Sequence, residues 1–139
     1  MSRTRVLIGV MGVDQHENGA IAVSRFLREA QMDVRYVGPF QTPDSLLEQA
    51  IREDVDVIGI SCHSWEFLHY LPELISTLEG APRRIPVVVG GSVLTPQDRE
   101  KLRELGVAAS FGAGAEPDDI VDAIRQLAHP RLAERLHAK

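Results

Sequence analysis

Asp14 and His16 stand two residues apart in the segment from Gly12 to Gly19. A carboxylate that close to an imidazole can accept one ring proton, fix the tautomer and raise the basicity of the other nitrogen, which suits metal ligation or acid–base work. A solvated loop can carry the same pair, so these two residues alone leave both readings open. Cys62 beside His63 offers a thiol next to a base, but adjacent side chains rarely aim at one another and no third group is evident to orient them. Cys62 is also the only cysteine, which excludes an intrachain disulfide and a Cys-rich zinc site and leaves metal chemistry to histidine or carboxylate. Ser61 and the pair Gly90-Gly91 each read singly as turn residues, and Gly112-Ala113-Gly114 is too short a fragment to indicate a dinucleotide site. Taken together, side chains missing at the ends of neighbouring strands would leave a slot deep enough to admit a flat group.

These residues need elements to hold them. Five β-rich segments, Arg5–Met11, Val34–Val37, Val57–Ile60, Pro86–Val89 and Val107–Phe111, alternate with helical patterns. The first helix is predicted from Gly19 to Gln31 with Ile21, Phe26, Leu27 and Ala30 on its apolar side. Thr42-Pro43-Asp44 and Thr95-Pro96-Gln97-Asp98 are helix starts with proline at the first helical position. Gly106 suits a left-handed stop after the second of these. A third helix is predicted from Leu68 to Leu78, and a last one begins near Pro117. Strand–helix alternation at this length predicts an α/β, flavodoxin-like (Rossmann-like) doubly wound sheet of five parallel strands. Its expected order is 2-1-3-4-5, with ligands at the carboxyl ends of strands one and three. The loops from Gly12, Ser61, Gly90 and Gly112 are therefore the ones to read.

The 139 residues fit one domain, 1–139, with 129–139 as an amphipathic arm or a frayed end. Fifteen Lys and Arg against twenty Asp and Glu give a net charge of -5, which disfavours nucleic acid. No apolar run approaches the ~20 residues of a membrane span and no signal peptide is evident, so a cytoplasmic protein is expected. A phospho-accepting receiver of this architecture needs Asp after strand three and Lys after strand five, where Ser61 and Gly112 stand. A flavin phosphate loop needs hydroxyls after strand one, and the Gly12 to Gly19 segment has none and carries two acids. No Walker lysine motif occurs.

Asp14-x-His16-x-x-Gly19, then Ser61, then Gly90-Gly91, resembles the D-x-H-x-x-G, S-x-L and G-G series of the cobalamin-binding family. Gly38-Pro39-Phe40-Gln41-Thr42-Pro43, Pro96-Gln97-Asp98 and Phe111-Gly112-x-Gly114 are further similar to the cobalamin domain of acyl-CoA mutases of the methylmalonyl-CoA mutase type. The resemblance spans nearly the whole chain. It implies a corrinoid held base-off and His-on, with His16 as lower cobalt ligand, Asp14 orienting it and Gly19 letting the first helix start close by. By the same resemblance the displaced nucleotide tail enters the slot. There the Ser61 hydroxyl meets a tail nitrogen, Gly90 and Gly91 clear space, and Gly112 and Gly114 admit the tail's outer end. His63 stands where the family has Leu, in the wall of the tail pocket. Val10 stands where methylmalonyl-CoA mutase domains often carry Lys.

The resemblance also implies adenosylcobalamin, radical carbon-skeleton isomerisation and a large substrate-binding subunit with a barrel, together a heterotetramer in which this chain is inactive alone and supplies no catalytic side chain. Trp65 and Phe67 would lie near the face that meets corrin and partner. A stand-alone corrinoid carrier or sensor, and a corrinoid-free flavodoxin-like interaction module, are the alternatives.

Overall fold

The computed structural model describes residues 3–11, 18–62 and 67–137. Short segments form the strands β1 (Arg5–Val10), β2 (Asp33–Tyr36), β3 (Val57–Ser61), β4 (Val87–Gly90) and β5 (Ala109–Phe111); β1, β3 and β4, rich in Val and Ile, are almost wholly buried, while β2 and β5 are partly exposed. All four ladders are parallel and the order is β2-β1-β3-β4-β5, the doubly wound order expected from the sequence. Apolar residues run continuously along the central strands because helices cover both faces. Val6, Ile8, Val10, Val57 and Val88 face α1 (Asn18–Glu29) and α5 (Pro117–His137). Leu7, Ile58, Ile60, Val87 and Val89 face α2 (Pro43–Arg52), α3 (Phe67–Glu79) and α4 (Pro96–Leu105).

Local chemistry sets the helix ends. Thr42 and Thr95 each cap a helix that starts on proline. Each threonine hydroxyl accepts from the backbone N–H three residues on, and the Ser45 or Asp98 side chain reciprocates. Gly106 stops α4 in the left-handed region at φ 109°. Some boundaries differ from the sequence reading. β2 runs one residue earlier than expected, β4 ends on Gly90, and β5 is reduced to its last three residues. Ile21, expected on the apolar side of α1, is exposed. The buried positions there are Ala20, Ser24 and Leu27, with the Ser24 hydroxyl donating to the Ala20 carbonyl at 2.8 Å.

The segment expected as an arm or frayed end continues α5 through Pro130 to His137. Charges tie it to the amino end of the sheet. Asp56, fully buried, accepts from the Arg5 backbone N–H at 2.8 Å and from both terminal nitrogens of Arg135. Arg131 and Arg5 pair with Asp54. The hydrogen bond to Asp56 is the main reason the Arg135 guanidinium titrates above its ordinary value.

Candidate ligand-binding slot at the carboxyl end of the sheet

Register brings the candidate residues into line. Val10, Ser61, Gly90 and Phe111 are neighbours across β1, β3, β4 and β5, and two residues below them Ile8, Gly59, Val88 and Ala109 form the next row on the same face. A side chain is missing at Gly90 in the upper row and at Gly59 in the lower one. Above these gaps α1 contributes Ala20, Val23 and Phe26, and α5 contributes Ile120 and Ile124, positions three or four apart and so on one helix face. The loops after β4 and β5 complete the rim. The cavity has a volume of about 270 Å³ and is open at the carboxyl ends of the strands.

The slot is lined by Gly19, Ser61, Gly90, Gly91, Gly112 and Gly114, which all meet at the same cavity. Asp14, His16 and His63, and with them Trp65, lie outside the described residues. The glycines do different things. A Cβ at Gly90 would meet only the Phe111 carbonyl oxygen at 3.8 Å, so this glycine leaves open space. A Cβ at Gly91 would lie 1.8 Å from the Cys62 carbonyl oxygen, so this glycine lets the chain leaving β3 pass against the β4 turn. At Gly112 the Leu94 carbonyl oxygen would be 3.0 Å away, again a close backbone approach. Gly114 sits at φ +84° with nothing near it, a turn that L side chains rarely adopt.

Among the described residues, Ser61 and Ser92, both toward the mouth, are the only polar side chains lining the slot; its deeper lining is aliphatic or aromatic. Such a cavity removes apolar surface from water and offers hydrogen bonds only at its entrance. It suits a flat, apolar group whose polar end stays near the mouth. Among the described residues there is no cluster of three His, Cys, Asp or Glu able to hold a metal ion. No helix among them is long and apolar enough to cross a membrane. Sequence reading missed Gly59, Phe26 and Ile120. Gly59, alone among the apolar residues of β3, carried a usable signal, since glycine inside a strand often marks a close approach of ligand or backbone. Phe26 and Ile120 look like ordinary core positions until the helices are placed.

The chain matches the B12 binding domain family model over residues 4–128. It is 37% identical over 129 residues to the 2-hydroxyisobutanoyl-CoA mutase small subunit of Aquincola tertiaricarbonis, covering 93% of this chain and 95% of that one. Identity is also 37% over 133 residues to the pivalyl-CoA mutase small subunit of Xanthobacter autotrophicus, covering 95% of this chain and 88% of that one. The human mitochondrial methylmalonyl-CoA mutase is 39% identical over 113 residues, 81% of this chain but 15% of that enzyme. Among solved structures, a cobalamin-binding protein from Desulfitobacterium hafniense superposes with a TM-score of 0.76 at 16% identity, covering 90% of this chain and 59% of that one. The receiver domain of the response regulator NarL from Mycobacterium tuberculosis gives 0.70 at 18% identity, covering 93% and 98%. At these identities the superpositions show the fold alone, and they show that two chemistries share it. The family match over residues 4–128 and the identity to two small subunits along nearly their whole length decide between them: this chain belongs to the B12-binding domain family.

Proposed function

We propose that this chain is the cobalamin-binding small subunit of an adenosylcobalamin-dependent acyl-CoA mutase, an isomerase that is active only with a second subunit. The observation that carries this reading is an apolar slot of about 270 Å³, in which the described hydroxyls, Ser61 and Ser92, stand toward the mouth, at the carboxyl end of a sheet whose family binds B12. The slot fits a buried nucleotide base. Phe26, Val23, Ile120 and Ile124 would clasp its faces, Ser61 would hydrogen-bond a ring nitrogen near the entrance, and Gly90 would leave room for it to pass. Gly91 and Gly112 serve indirectly, by letting the rim loops pack tightly. Gly19 at the start of α1 and Gly114 beyond β5 border the same entrance.

Seating the base in the slot would leave the lower cobalt position to a protein donor. His16 is the residue assigned to it, with Asp14 accepting the opposite ring proton and so fixing the tautomer. His63, in place of the family leucine, would bring a polar ring to the tail pocket's wall. Adenosylcobalamin, when bound, supplies a cobalt–carbon bond that breaks homolytically and so the radical chemistry of carbon-skeleton rearrangement. This chain contributes tight binding, orientation and exclusion of water from the lower side.

A large subunit with a barrel would enclose the upper side and the acyl-CoA. The similarity to two proteins named as small subunits supports that partnership, which we assign as a cytoplasmic heterotetramer.

Titration with hydroxocobalamin tests the reading. A saturable absorbance change that His16→Ala alters is expected, and an unchanged spectrum in the variant would remove His16 as ligand. Cobalamin binding without partner-dependent isomerase activity would favour a carrier or sensor, and no binding would favour a corrinoid-free module.

A further inference from the structure

Gly59 lies in the middle of β3, flanked by Ile8 on β1 and Val88 on β4, both almost fully buried. One step further down the same face, Val6 and Val57 are fully buried and close the slot from below. The slot therefore reaches from Ser61 and Gly90 to Gly59, two residues along the strand or roughly 7 Å. Its floor at Gly59 lies between Ile8, whose Cδ1 leans over the glycine, and Val88. Among the described residues that line it, no side chain beyond Ser61 and Ser92 can donate or accept a hydrogen bond. A ring nitrogen or amine at the inner end would lose water without replacement, whereas an apolar ring would lose nothing.

We infer that Gly59 is the specificity-determining residue of the slot: its missing side chain sets the depth that lets a two-ring apolar base, of the benzimidazole class, lie fully buried in preference to a purine. This rests on the reading of the slot as the site of a corrinoid tail. A Cβ at position 59 would lie 2.6 Å from the Ile8 Cδ1, with no backbone atom closer than 3.8 Å. The clash is with the far end of a flexible side chain, so Gly59→Ala leaves the fold in place and raises the floor. Ile8→Val removes the Cδ1 atom and makes room for the new methyl group.

The test is an absorbance titration of the wild type, Gly59→Ala and the Gly59→Ala/Ile8→Val double variant with three probes. These are hydroxocobalamin, its analogue with an adenine base, and tail-less cobinamide. The wild type is expected to bind hydroxocobalamin at least about tenfold more tightly than the adenine analogue. Gly59→Ala should weaken hydroxocobalamin binding by about tenfold and leave cobinamide unchanged, with most of the loss restored in the double variant. Unchanged hydroxocobalamin affinity in Gly59→Ala, an equal loss for cobinamide, or equal wild-type affinity for the two bases would overturn the role of Gly59. A wild type that binds hydroxocobalamin no better than cobinamide would instead overturn the tail-slot reading itself.

Discussion

Gly90 and Gly91 are adjacent and chemically identical, yet alanine at the two positions should have opposite consequences. At Gly91 the new Cβ would stand 1.8 Å from the Cys62 carbonyl oxygen and 2.8 Å from its carbonyl carbon. An ordinary carbon–oxygen approach is about 3.3 Å, so the backbone leaving β3 must retreat by roughly 1.5 Å. That retreat breaks the bond from the Cys62 N–H to the Gly90 carbonyl, 2.7 Å long, and strains the one from the Gly91 N–H to the Phe111 carbonyl, 3.0 Å. The cost is at least about 3 kcal/mol, a large part of the ~5–15 kcal/mol that holds a domain folded. At Gly90 the nearest atom would be 3.8 Å away, an ordinary contact. Replacing a strand glycine there is worth up to about 1 kcal/mol of added stability. Urea unfolding followed by circular dichroism separates the two. With m of about 1–3 kcal/mol per molar, Gly91→Ala should lower the midpoint by at least ~1 M while Gly90→Ala holds or raises it. Gly90→Ala should nevertheless weaken cobalamin binding, because its methyl group projects into the slot. Equal midpoints for the two variants would refute the assignment of backbone packing to one glycine and open space to the other.

Asp56→Ala should cost about 3 kcal/mol in the same unfolding assay, because it removes the fully buried carboxylate that the Arg5 N–H and the partly buried Arg135 guanidinium share. Cobalamin affinity should not change, since Asp56 lies at the amino end of the sheet; a loss below about 1 kcal/mol would mean that the α5 extension is not held by this pair. Phe40 is 57% exposed at φ 64°, a region that suits asparagine and disfavours bulky side chains. Phe40→Asn should therefore raise stability by about 0.5–1 kcal/mol in isolated protein, and a loss of stability would contradict the inferred strain.

Much of the fold was legible because its signals are local. Threonine before proline marked both capped helix starts, and Gly106 marked the end of α4. Continuous apolar runs marked the buried parallel strands, and their number and alternation gave the order. Strand limits shifted where glycine or a polar residue joins a ladder, as at Ser61 and Gly90, since pairing there is decided by the neighbouring strand. The last helical turns were not legible, because Arg131 and Arg135 find their carboxylates 77 and 79 residues away. The site divided in the same way. Ser61, Gly90, Gly112 and Gly114 stood at strand ends and declared themselves. Gly59 and Phe26 acquire meaning only when the α1 face and the β3 floor meet across the cavity.

The most direct measurement is electron paramagnetic resonance of the reduced, divalent cobalt form of cobalamin bound to this chain, prepared with histidine carrying the heavy nitrogen isotope. Coupling to the labelled His16 nitrogen should split each cobalt line into a doublet, and the splitting should vanish in His16→Ala. A triplet from unlabelled benzimidazole nitrogen in the wild-type complex would contradict a protein histidine beneath the cobalt and a base buried in the slot.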